Sequence, residues 1–75
     1  MKKIMVKLHS IEDVKDFVNI MAGIEGETLL YSGRYIVDAK SIMGIFSLDI
    51  SKPIRLEIEE WKDEYMPWLE KYAVE

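Results

Sequence analysis

Alternation of hydrophobic and polar residues predicts four β-strands, each with one buried face. In the first strand, for example, Ile4, Val6 and Leu8 fall on one side of the chain. The second and third strands are separated by Gly33, so we expect them to pair as an antiparallel hairpin. The predicted strands cover residues 2–8, 27–32, 34–39 and 53–59.

Helical spacing of apolar residues predicts three further elements. Ser10 is a favourable N-cap for the first helix, in which Val14, Phe17 and Met21 recur at intervals of three and four residues. The last helix contains Pro67, which lacks a backbone N–H, so we expect that helix to be short and to begin close to this proline. The predicted helices cover residues 10–22, 41–48 and 64–73.

The elements therefore follow the order β-α-β-β-α-β-α along the chain. This order predicts an α+β fold in which helices cover one face of a four-stranded antiparallel sheet. The 75 residues allow one domain only, so we expect residues 1–75 to form a single unit.

Composition narrows the classes of function. The net charge of −4 disfavours nonspecific nucleic-acid binding, which needs clustered basic residues. The absence of cysteine excludes disulfides and thiolate metal sites. We find no calcium-loop spacing, phosphate-binding glycine loop or cofactor motif, and therefore expect neither a metal nor a cofactor. Without a signal peptide or a long apolar segment, we expect a cytoplasmic protein that does not insert into membranes.

Residues 37–48, with the sequence VDAKSIMGIFSL, carry a specific resemblance. The segment resembles the regulatory-serine region of HPr, the histidine-containing phosphocarrier protein of the bacterial sugar phosphotransferase system, and it occupies the same place in the order of elements. The resemblance extends to Ile58. Beyond that residue, the last helix matches HPr only as the same type of element. It implies the HPr-like open-faced sandwich of four antiparallel strands and three helices.

The resemblance also implies a biological context. HPr accepts a phosphoryl group from enzyme I on a histidine and delivers it to sugar-specific permease components. Some relatives transfer no phosphate and act as regulators through a phosphorylated serine. The implied partners are therefore other proteins, namely enzyme I, permease components or a serine kinase, and we expect the chain not to be an enzyme in its own right.

The phosphoryl-accepting position of the family falls at the end of the first strand, where this chain has its one histidine, His9. Between Gly33 and Ser41 the chain has one residue more than the family pattern. If that residue is placed earlier in the alignment, Ser10 occupies the acceptor position. The sequence leaves both assignments open.

Local charge argues against phosphate at His9. A helix N-terminus favours an anion, and HPr strengthens this site with Ala-Arg-Pro after the histidine. Here Ile11 replaces the arginine, and Glu12 and Asp13 follow in the first turn. Carboxylates next to a phosphoryl group oppose its binding. The alternative interpretation of His9 is an exposed residue without a chemical task.

Ser41 is the stronger candidate for phosphorylation, as the resemblance implies. A serine at this position is also an ordinary N-cap, and a phosphate added there would carry a charge of about −1.5 to −2. Met43 and Phe46 follow it and are candidate partner-binding residues, although core packing explains such residues equally well.

Three functional hypotheses result. The first is an HPr-like regulatory or adaptor protein that acts through the Ser41 segment. The second is a true phosphocarrier that uses His9. The third is an HPr-like scaffold with an unrelated protein-binding role.

Overall fold

A computed structural model of the chain describes residues 1–74 and contains the predicted strands and helices in the predicted order. A single 3₁₀ turn, Asp63–Tyr65, leads directly into the last helix. The elements are β1 (Lys2–Val6), α1 (Ile11–Ala22), β2 (Thr28–Ser32), β3 (Tyr35–Asp38), α2 (Ile42–Phe46), β4 (Ile54–Ile58) and α3 (Met66–Leu69).

The four strands form one sheet in the order β1-β4-β2-β3, and all neighbouring strands are antiparallel. The sheet class predicted from the sequence is therefore confirmed. The last strand in the chain, β4, lies between β1 and β2, so Leu56 pairs with Ile4 on one side and with Leu30 on the other. Leu30 in turn pairs with Val37. This row of apolar side chains faces the helices.

The helices complete the core by covering that row. Val14, Phe17 and Met21 are buried on one side of α1, as the spacing predicts. The Phe17 ring lies edge-on to the ring of Tyr72, with 6.0 Å between the centroids, a favourable arrangement of two aromatic rings. From α2, Ile45 is fully buried.

The end of the chain differs from its prediction. The predicted helix over 64–73 is wrong at its C-terminal end, because α3 ends at Leu69 and turns follow. Ala73 instead forms an isolated antiparallel bridge with Val6. The backbone N–H of Val74 donates to the Met5 carbonyl (2.9 Å). Hydrogen bonding to the free edge of β1 therefore replaces the last helical turns.

The first strand is also shorter than predicted. It ends at Val6, which pairs with Ile54, the first residue of β4. Pro53 precedes Ile54 and cannot donate a backbone hydrogen bond, so the ladder stops there. Leu8 is nevertheless buried, as its alternation with Val6 predicts.

Asp16 of α1 contacts two residues of the turn that follows α3. Its Oδ2 accepts a hydrogen bond from the Tyr72 hydroxyl (2.6 Å) and forms an ion pair with the Lys71 ammonium (2.7 Å). The bond from Lys71, followed by that from Tyr72, lowers the pKa of Asp16. Burial of the phenol, together with the Asp16 carboxylate, raises the pKa of Tyr72.

Within residues 1–74, none of the helices has both the length and the apolar character needed to cross a membrane.

The Asp16 contacts predict a specific pH dependence of stability. Because folding lowers the pKa of Asp16, the ionised carboxylate stabilises the fold above its unfolded pKa of 3.8, and this contribution is lost as the pH falls through the folded pKa. Asp16→Asn should therefore be less stable than the unmodified protein at pH 7, and the difference in unfolding free energy should shrink towards pH 2.

Urea denaturation at the two pH values measures this difference. Glu70→Gln is the control for removal of one negative charge, since Glu70 is exposed and its side chain makes no hydrogen bond or ion pair with residues 1–74. An Asp16→Asn difference that is the same at both pH values would show that the carboxylate charge does not stabilise the fold.

Candidate functional site around Ser41

Ser41 caps the second helix. Its backbone is extended (φ −102°, ψ 109°), and its Oγ accepts a hydrogen bond from the Gly44 N–H (3.1 Å). A Cβ at position 44 would lie 3.2 Å from Ser41 Oγ and 3.2 Å from Val37 Cβ. Glycine at this position therefore allows the first turn of α2 to approach both the cap and β3 closely.

A hydrogen-bonded turn presents Ser41 at this position. The Ser41 N–H donates to the Asp38 carbonyl (3.0 Å), and the Asp38 carboxylate accepts from the Lys40 N–H (2.8 Å). Lys40 Nζ donates to the Gly26 carbonyl (3.3 Å). The loop before α2 is thus held by both backbone and side-chain contacts, and Ser41 is half-buried at its end.

The same short helix carries both buried and exposed apolar side chains. Ile45 is buried against the core, as is Leu48 just beyond the helix. Met43, by contrast, is 74% exposed and Phe46 is 43% exposed. Exposed apolar groups of this size offer a contact surface for another protein, and here they follow the candidate serine directly.

The start of the first helix has a different arrangement. Ser10, and not His9, is the N-cap of α1, and its Oγ accepts from the Asp13 N–H (3.2 Å). The Asp13 carboxylate reaches back and accepts from the backbone N–H of His9 (2.9 Å). His9 therefore lies one residue before the cap, with an exposed side chain that makes no hydrogen bond to residues 1–74.

The first turns of the two helices differ in charge. The first turn of α1 contains Glu12 and Asp13, and Ile11 beside them is 60% exposed. The first turn of α2 contains no acidic residue. An added phosphate would therefore meet carboxylates at the start of α1, whereas the first turn of α2 offers backbone N–H groups and no carboxylate.

Within residues 1–74, no three His, Asp or Glu side chains come close enough together to hold a metal ion.

The structure also contains a cleft that the sequence patterns did not reveal. Its volume is about 670 Å³, and its lining includes Tyr31, Arg34, Tyr35, Lys52 and Arg55. Pairing of β2 with β4 places Tyr31 opposite Arg55. No pattern in the sequence signalled it, because only this strand pairing brings the two residues together.

Comparison with known proteins gives one informative similarity. No protein-family model matches the chain, and no curated protein matches it. Among solved structures, the chain is similar to that titled "Crystal structure of HPr-C-His from Thermoanaerobacter tengcongensis", with 26% sequence identity and a TM-score of 0.76. The match covers 95% of this chain and 89% of the other. Together with the antiparallel sheet and the β-α-β-β-α-β-α order, it shows that the chain has the HPr-like fold.

Proposed function

We propose that this chain is an HPr-like regulatory or adaptor protein of the bacterial phosphotransferase system, working in the cytoplasm through phosphorylation of Ser41. The fold is a phosphocarrier-like scaffold. The observation that carries the proposal is that Ser41 caps a helix whose first turn has no acidic residue and which also carries the exposed Met43 and Phe46.

The chemistry at Ser41 is an ordinary phosphoryl transfer from ATP. A serine kinase would form a bond between Ser41 Oγ and the γ-phosphorus, break the bond to the ADP leaving group and remove the hydroxyl proton. The phosphate oxygens could then accept from the N–H groups at the start of α2, including that of Gly44, which already donates to Ser41 Oγ. The modification therefore keeps the cap interaction instead of breaking it.

The consequence of phosphorylation would be a change in protein binding. Met43 and Phe46 supply apolar contact area, and the phosphate adds a charge of about −1.5 to −2 beside it. A partner with basic groups around an apolar pocket would then bind more tightly, and a partner with acidic groups less tightly. Candidate partners are the serine kinase, enzyme I and permease components.

The geometry supports the phosphocarrier alternative less well. Ser10 occupies the helix start, and the Asp13 carboxylate is bonded next to it. A phosphoryl group on His9 would lie beside this carboxylate and would have Ile11 in place of a guanidinium. Phosphoryl transfer depends mainly on positioning and charge stabilisation, and both are weak here.

The first prediction from this proposal concerns Ser41 directly. A serine kinase of the phosphotransferase system, supplied with ATP, should add an acid-stable phosphate to the intact protein. Intact-mass measurement followed by peptide mapping should place it on Ser41, and Ser41→Ala should abolish it.

Two serine variants serve as matched controls. Ser10→Ala loses an equivalent N-cap hydrogen bond, and Ser47→Ala removes a hydroxyl from the other end of α2. Both should be phosphorylated normally. Each lost cap costs about 1 kcal/mol of stability, so Ser10→Ala also tests whether destabilisation alone reduces labelling. Loss of labelling in Ser10→Ala, with Ser41→Ala still labelled, would reject Ser41 as the site.

The second prediction concerns the contact surface. Met43→Ala should lower the kcat/KM of Ser41 phosphorylation roughly ten-fold. Burial of a methionine side chain in the contact with the kinase contributes on the order of 1.5 kcal/mol or more to binding. Its stability should change by about 0.5 kcal/mol or less, since Met43 is exposed in the free protein. Ile36→Ala, another exposed apolar truncation, is the control and should leave the kinetics unchanged.

The third prediction concerns His9. Enzyme I and phosphoenolpyruvate should label this protein at least roughly ten-fold more slowly than they label an authentic HPr, since a loss of about 1.4 kcal/mol in transition-state stabilisation suffices for that. Intact-mass measurement at neutral pH retains a phosphohistidine. Rapid formation of an acid-labile phosphate that disappears in His9→Ala would replace the regulatory proposal with the phosphocarrier alternative.

A further inference from the structure

The cleft of about 670 Å³ lies on the side of the sheet away from the helices. It is bounded by the β2–β3 hairpin and by the segment that connects α2 to β4. It reaches α2 only at Ser47, the C-cap, so it is separate from the Ser41 cap at the other end of the helix. Its volume falls within the range of small-molecule sites.

The charge of the cleft is opposite to that of the chain. The protein has a net charge of −4 and only two arginines, yet both Arg34 and Arg55 line this cleft together with Lys52. The one carboxylate in the lining is Asp49. Glu57 lies outside the lining but pairs with Arg55, so three cations face two carboxylates. The remaining positive charge favours an anionic ligand.

The carboxylate of Asp49 is already engaged. It accepts hydrogen bonds from the backbone N–H of Ser51 (3.0 Å) and from the Ser51 hydroxyl. These bonds stabilise its ionised form within its own turn and keep its pKa below the ordinary value. Neither Arg34 nor Lys52 forms an ion pair with any of residues 1–74, so both remain available to a ligand.

The guanidinium of Arg55 is held in a defined orientation. Its Nε lies 3.0 Å from the Glu57 carboxylate, and its Cζ lies 4.4 Å from the centre of the Tyr31 ring. Glu57 is buried. A guanidinium has five N–H donors, so the bond through Nε leaves its terminal nitrogens free to donate.

Aromatic surface completes the lining. One face of Tyr31 is covered by Arg55, whereas Tyr35, the first residue of β3, is 67% exposed. A phenol ring with this exposure can stack on a planar group of a ligand at low entropic cost. The cleft therefore combines cationic groups for an anion with a ring surface for a planar apolar group.

We propose that this cleft binds a nucleoside phosphate, with the phosphate held by Arg34, Lys52 and Arg55 and the base stacked on Tyr35. A nucleoside phosphate joins the two features that the lining supplies, a compact anion and a planar ring. This binding is independent of Ser41, which lies outside the cleft.

Titration of the full chain with AMP, followed by ¹H–¹⁵N correlation spectra, tests the proposal. Saturable shifts are expected within residues 31–35 and 47–55, and inorganic phosphate and adenosine should each bind at least roughly ten-fold more weakly than AMP. Arg34→Ala and Lys52→Ala should each reduce AMP affinity roughly ten-fold or more, because each removes a charge-assisted contact.

Lys15→Ala is the matched control, since Lys15 is an exposed lysine of α1 outside the cleft, and it should bind AMP normally. Ser41→Ala should also bind normally, which separates this test from that of the proposed function. Arg34 and Lys52 are exposed, so their variants should keep well-dispersed spectra. Absence of saturable shifts with AMP, equal binding of inorganic phosphate, or an equal loss in Lys15→Ala would overturn the proposal.

Discussion

The fold depends on the position of β4 between β1 and β2. This strand is the last to be synthesised, yet it joins two strands that are distant in sequence, through the paired row of Ile4, Leu56 and Leu30. The row forms one apolar face, and a chain of 75 residues has helices enough to cover only that face. The opposite face of the sheet remains open, and both candidate sites follow from this division.

On the covered side, α1 and α2 each begin a few residues after a strand, and a serine caps each of them. The two caps have the same hydrogen bond but different electrostatic surroundings. At α1 the cap includes the Asp13 carboxylate, which satisfies the His9 N–H internally. At α2 the first turn has no acidic side chain. The proposal that Ser41 is phosphorylated therefore rests on this difference in charge and not on the cap itself.

Strand alternation and helical spacing were sufficient to predict the elements, because each strand and α1 buries one regular face. They failed at Tyr72, which is buried at helical spacing from Leu69 but lies in a turn. Periodicity cannot detect the backbone bonds that Tyr72 and Val74 form with Lys7 and Met5 beyond the end of the helix. The N-cap of α1 was predicted correctly, since Ser10 accepts from the Asp13 N–H. The position that was left open is the phosphoryl acceptor, for which both His9 and Ser10 were candidates.

The open face explains why the cleft could not be read from the sequence. Tyr31 and Arg55 are 24 positions apart in the chain numbering, and only the pairing of β2 with β4 makes them neighbours. No helix covers this face, yet Glu57 is buried there. Its ion pair with Arg55 offsets the free-energy cost of removing the carboxylate from water. The same ion pair orients the guanidinium over Tyr31. A contact that stabilises the uncovered side of the sheet thus also fixes the orientation of a guanidinium there, with its terminal nitrogens left to donate.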